Sequence, residues 1–107
     1  MKEIITKLQK AFDHRVRLGA MSMLMVNEWV DFTTLRDNLE VSDGNLASHL
    51  KNLEKQHYIE LRKQFIGRRP NTSYRATEAG KKAFLEHLDY LERIITRVQP
   101  GGSREGE

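Results

Sequence analysis

The pair Arg68–Arg69, set between Gly67 and Pro70 in the stretch YIELRKQFIGRRPNTSYR (residues 58–75), is the first feature of the chain with a legible chemistry. Guanidinium groups bind phosphate oxygens and enter narrow minor grooves, where the negative potential is strongest. The stretch carries Arg62, Lys63, Arg68, Arg69 and Arg75 against Glu60 alone, whereas the whole chain, with 18 basic and 15 acidic residues, is only +3. The basicity is therefore local, as the footprint of a polyanion partner is local. A second set lies upstream. Asn45, Ser48, His49 and Asn52 stand at i, i+3, i+4 and i+7, a polar stripe of short donors and acceptors suited to reading base edges in a major groove. Ahead of them, Ser42 and Gly44 leave backbone N–H groups at a helix start, where a phosphate is favoured. Taken singly, the stripe could be a solvated helix face and the arginines a device that keeps an edge hairpin soluble. Side by side they favour contact with DNA. Arg62, Lys63 and Arg75 are weaker candidates, because alternate strand residues point to opposite faces.

Other chemistries find little support. There are no cysteines among the 107 residues, which excludes a disulfide scaffold, a thiolate metal site and a cysteine nucleophile. The four histidines, His14, His49, His57 and His87, form no i, i+4 pair. Glu86, His87 and Asp89 are the only grouping that suggests a metal, and carboxylates beside a histidine are common on surfaces. No nucleophile–base pattern, phosphate-cradling glycine loop or dinucleotide fingerprint is present. The expectation is a non-enzymatic, cytoplasmic protein with no cofactor and no membrane association, since no apolar run approaches the ~18 residues of a membrane span and the N-terminus lacks the form of a secretory signal.

The elements that must position these residues follow from periodicity. Residues 3–12 place Ile4, Ile5, Leu8 and Phe12 on one helical face. Asp13 stands where it could cap the following helix, HRVRLGAMSMLMVN, which is apolar nearly all round and so reads as central. Residues 28–32 read as a short edge strand that pairs with the later hairpin. Thr33 or Thr34 caps a short helix ending near Leu39, and Ser42 caps the helix SDGNLASHLKNLEKQ. Leu46, Leu50 and Leu53 give that helix its packing stripe. Two short helices with a tight connection make a helix-turn-helix over about residues 33–56. The hairpin occupies 58–76, with Gly67 in the turn and Pro70 ending the pairing. Thr77 caps a last helix, 77–98. There Phe84, Leu88, Leu91, Ile95 and Val98 are spaced as a heptad seam, and with Ile4, Ile5 and Leu8 they are the expected dimer interface. Met21, Met23 and Met25 could line an adaptable pocket for a small-molecule effector or simply fill the core. Residues 99–107, rich in Gly and without an apolar anchor, read as a disordered tail to a single domain of residues 1–98.

Three strings in order, FDHRVRL (12–18), SDGNLASHLKNLE (42–54) and GRRPNTSYRATEAG (67–80), closely resemble the small stand-alone winged-helix regulators of the MarR/ArsR-like group. The likeness extends to about Ile95. Two positions depart from the group's usual pattern: Arg15 stands where proline is typical, and Ala76 where leucine is. The resemblance implies a mainly α fold with a small β-hairpin, a winged helix-turn-helix whose terminal helices form a dimer interface. It further implies a homodimeric transcription factor with Asn45, Ser48 and His49 on the recognition helix and Arg68 and Arg69 on the wing. The thiolate sensor of metal-responding relatives is absent. The expectation is thus a homodimer on a pseudo-palindromic duplex, repressing by occlusion of a promoter. The rival from another class is a winged helix that uses the same surface to bind a protein. Neither operator nor target genes can be read from the residues.

Overall fold

The computed structural model describes residues 1–99; the tail expected over 99–107 lies, beyond Gln99, outside the described residues. The elements run α1 (Lys2–Thr6), a 3-10 turn (Lys10–Phe12), α2 (Arg15–Val26), β1 (Val30–Asp31), α3 (Phe32–Leu39), α4 (Asp43–Lys55), β2 (Ile59–Ile66), β3 (Arg69–Ala76) and α5 (Glu78–Val98). The sheet has the order β1-β3-β2 and is antiparallel throughout. This is the helix-turn-helix followed by a hairpin that the residues led one to expect.

The core forms where apolar faces of α2, α4, the base of the hairpin and α5 meet. Met21 and Leu24 of α2, Leu35 of α3, Leu46, Leu50 and Leu53 of α4, Ile59 and Tyr74 of the sheet, and Phe84 of α5 are all buried in one cluster. Phe12 joins it, stacked on Tyr58 and edge-on to Phe84 at 5.1 Å between centroids. Ala76 is buried opposite Ile59, so the small residue at this departure from the group pattern still lies in the core. Met21 is fully buried and Met23 and Met25 pack against the cluster, which makes the methionines core filling. Met25 also borders an open groove of about 550 Å³ whose lining includes Glu28, Glu60, Arg75 and Lys81.

Several local expectations need correction. The N-terminal helix does not run to residue 12. It stops after Thr6, because the Gln9 backbone N–H donates instead to His87 Nδ1 on α5, at 3.0 Å. The cap of α2 is His14, not Asp13: its Nδ1 accepts from the Val16 N–H. Asp31 caps α3 in place of Thr33 or Thr34, accepting from the Thr34 N–H at 2.8 Å. Hydrogen bonds from the Thr34 hydroxyl and then from its N–H lower the pKa of the Asp31 carboxyl. Pro70 does not end the pairing either. It sits within β3 opposite Phe65, and its missing N–H disturbs nothing on the other edge, since β1 reaches only Ser73 and Tyr74. The caps at Ser42 and Thr77 stand as expected, each accepting an N–H three residues on.

Candidate nucleic-acid interface

Helix α4 is held from three sides. Leu46, Leu50 and Leu53 seat it in the core. The Ser42 hydroxyl caps its first turn. Arg36 of α3 donates to Asp43 Oδ1 at 3.0 Å, which pairs the one acidic charge of that turn. The connection from α3 is tight because Glu40 takes the left-handed conformation, φ 54°, and returns its N–H to the Arg36 carbonyl. The outward face then presents Gly44, Asn45, Ser48 and Asn52 to solvent, with Ser42 at its head. A side chain at Gly44 would meet open space, so the fold does not require glycine there, and its effect is to leave the backbone bare.

His49 departs from this face. At ~100° per residue it lies roughly 40° from both Asn45 and Leu53, and in the structure it leans inward. It is half-buried, its ring lies 4.1 Å from that of His14, and its Nδ1 is 2.9 Å from an Arg17 guanidinium nitrogen. Burial first, then His14 and Arg17, push its pKa down. Because Arg17 can only donate, His49 Nδ1 must be the accepting nitrogen. Its ring is therefore a brace between α4 and α2 rather than a member of the open stripe. Arg17 also donates to the Ala11 carbonyl; as one of two arginines in an otherwise mostly apolar helix it forms no pattern that spacing could single out.

The wing divides into three parts. At its base, Arg75 is spoken for: it donates to Glu60, pairs with Glu28 at 3.9 Å and stacks over Trp29 at 4.8 Å. These partners hold Arg75 at the base of the wing, opposite Glu60 in the ladder and far from the turn. Arg62 lies on the same face of the hairpin and also stacks on Trp29, 4.2 Å from the ring centroid. Trp29 lies in the segment expected as an edge strand, and its hold on both arginines has no mark in the sequence, because cation–π partners depend on register and not on spacing. Lys63 projects from the opposite face and is exposed. At the tip, Gly67 has φ +65° and Arg68 does not, the signature of a type II′ turn with glycine first. Arg68 and Arg69 are exposed there, and no ion pair engages either among the described residues. Phe65 and Ile66 beside them are exposed too.

Helix α5 carries two faces. Ala83, Phe84 and His87 point into the domain, so Phe84 is corrected from interface to core. Ile4 is likewise buried within its own chain, where α1 packs along α5. Leu8 and Leu91 are half-buried, while Ile5, Leu85, Leu88, Ile95 and Val98 remain exposed. His87 is sealed inside, edge-on to Phe12, and burial lowers its pKa against a smaller opposing pull from Asp13. It faces away from Glu86 and Asp89, and no group of three His, Asp or Glu side chains among the described residues could hold a metal. No helix among them is long and apolar enough to cross a membrane.

A capped helix with an open polar face beside a basic hairpin defines a DNA-binding winged helix. The comparisons agree: residues 16–95 match the family model described as a winged helix DNA-binding domain, and the chain belongs to that family. An uncharacterized protein of Methanocaldococcus jannaschii is 34% identical over 90 residues, covering 84% of this chain and 98% of that one. Among solved structures, a transcriptional regulator homologue from Pyrococcus horikoshii superposes with a TM-score of 0.81 at 28% identity, covering 92% and 95% of the two chains. A MarR family regulator from Porphyromonas gingivalis shares the fold at a TM-score of 0.59 and 17% identity, over 84% and 86% of the chains.

Proposed function

We propose that this DNA-binding winged helix is a homodimeric transcriptional regulator that represses by occupying a pseudo-palindromic site in duplex DNA. The observation that carries the reading is the combination, on successive elements, of an open polar helix face (Asn45, Ser48, Asn52) and a hairpin tip whose two arginines have no acidic partner among the described residues. The first can read base edges in the major groove; the second adds phosphate or minor-groove grip. Ser42 and Gly44 would approach a phosphate at the head of α4, and Lys63 would meet the backbone from the body-facing side of the wing. The proposed dimer face is what α5 leaves uncovered, Leu85, Leu88, Ile95 and Val98, joined by Leu91, Leu8 and Ile5. Apolar side chains at this spacing on an exposed helix suit a symmetric pairing, which would set two recognition helices about one helical turn (~34 Å) apart.

The test is selection of tight binders from a pool of randomised duplexes, with sedimentation of the complex. The reading expects an enriched inverted repeat bound by two chains. Retention that is weak and blind to sequence would favour the rival in which this surface docks a protein.

A further inference from the structure

We propose that the wing is a wedge as well as a clamp: Phe65, backed by Ile66, enters the minor groove of the bound duplex and parts a base step there. This rests on the DNA-binding reading above and adds to it a deformation of the DNA. Phe65 is 71% exposed and Ile66 61%, although both are bulky and apolar. They hold the last two ladder positions before the turn, Phe65 opposite Pro70 and Ile66 opposite Arg69. Since successive strand residues face opposite ways, Phe65 and Pro70 form an apolar pair on one side of the tip, and Ile66 backs it on the other. Neither belongs to the core, since on β2 the residues packed in or against it end at Leu61; Ile66 borders an open groove that also takes in Arg62 and Trp29. A hairpin that needed only solubility would carry polar side chains here, so an apolar end is a surface made to be covered.

Charge says what covers it. Residues 61–72 contain Arg62, Lys63, Arg68 and Arg69 and no acidic residue. The partner must offer negative charge outside and flat apolar surface within, as a duplex does with its phosphates and stacked bases. Shape agrees. The two-residue turn places a glycine with φ +65° at its first central position, so the hairpin ends abruptly and presents single side chains, rather than the paired strands themselves, to a groove too narrow for a β-ribbon. A minor groove is about 6 Å wide, and a wedge that widens it kinks the duplex away from the protein. Arg68 and Arg69 then lie along the groove walls while Phe65 meets the bases.

The experiment uses the full chain and the duplex it binds most tightly from a randomised pool, labelled at both ends for energy transfer. With wild type the ends should draw together on binding. Combined Phe65→Ala and Ile66→Ala should leave the duplex as straight as free DNA and weaken binding about ten- to a hundredfold, with the slope of log affinity against log salt unchanged. Arg69→Ala should do the reverse, keeping the bend at saturation and flattening the slope by about one. Phe65→Trp should keep the bend. Both side chains of the double variant are exposed, so its urea midpoint should match wild type, and this is checked. Tight binding by wild type to a duplex that stays straight, or a double variant that bends DNA normally, overturns the wedge alone. Loss of binding to anionic vesicles or of self-association in the double variant, with DNA binding intact, overturns it in favour of a lipid or protein contact. If wild type retains no duplex at all, the DNA reading itself falls and the wedge with it.

Discussion

Helix α4 and the tip of the hairpin that follows it are built on opposite plans. The helix is fixed by three buried leucines, a hydroxyl cap, an ion pair to α3 and the imidazole brace from His49 to Arg17. The tip is fixed by its turn and its ladder alone. The helix face carries neutral polar groups; the tip carries charge and apolar bulk. Choosing among sequences requires donors and acceptors held to within a fraction of an ångström, so a rigid mount suits the helix. Gripping a polyanion does not require such fixity, and a loosely mounted tip can follow the groove.

Substitutions should separate the two plans. The largest effect is expected beneath the helix: Leu50→Ala should cost about 2–5 kcal/mol in urea denaturation, whereas Phe65→Ala at the tip should stay within about 0.5 kcal/mol. Equal costs would mean that the tip is mounted as firmly as the helix. Asn45→Ala should leave the fold intact and relax preference at one base position by about 1–3 kcal/mol in competition binding. A uniform loss across all competitors would instead assign Asn45 to the backbone. Gly44→Ala is a sharper case, since its new methyl meets open space. It should raise stability by up to about 1 kcal/mol through helix propensity and yet weaken DNA binding, because the methyl stands between backbone and phosphate. Stronger binding would remove Gly44 from the interface.

The smallest effect is a pH dependence confined to the mounts. The folded pKa values of His49 and His87 are both lowered. Their contribution to stability is therefore full above the ordinary histidine value near 6.5 and is lost as pH falls through that value towards the folded one. Urea midpoints at pH 7.5 and 5.5 should differ in that direction, and His87→Gln should flatten the difference. A midpoint that rose on acidification would contradict the accepting role of both Nδ1 atoms.

What could be read from residues alone were features set by near neighbours. The leucine stripe of α4, the caps at Ser42 and Thr77 and the glycine turn depend on spacings of two to four residues. The features that escaped depend on partners far along the chain. The first helix is cut short by a histidine 78 residues away. Arg75 is claimed by Glu60, Glu28 and Trp29. Asp31 rather than Thr33 or Thr34 became the cap because β1 ends there on its pairing with Ser73, a choice that three capping residues within four positions cannot reveal. Phe84 satisfied a heptad, yet Phe12 and Tyr58 offered it a core.

The bond from Gln9 to His87 also sets an order of events during synthesis. The first dozen residues leave the ribosome well before α5 exists, and α1 has nowhere to dock until that helix follows. By then the local contacts of α2, α3, α4 and the hairpin can already have formed, because none of them needs α5 to close so long a loop. The surface shared by α1 and α5, part of the face proposed for pairing, is accordingly the last to be completed.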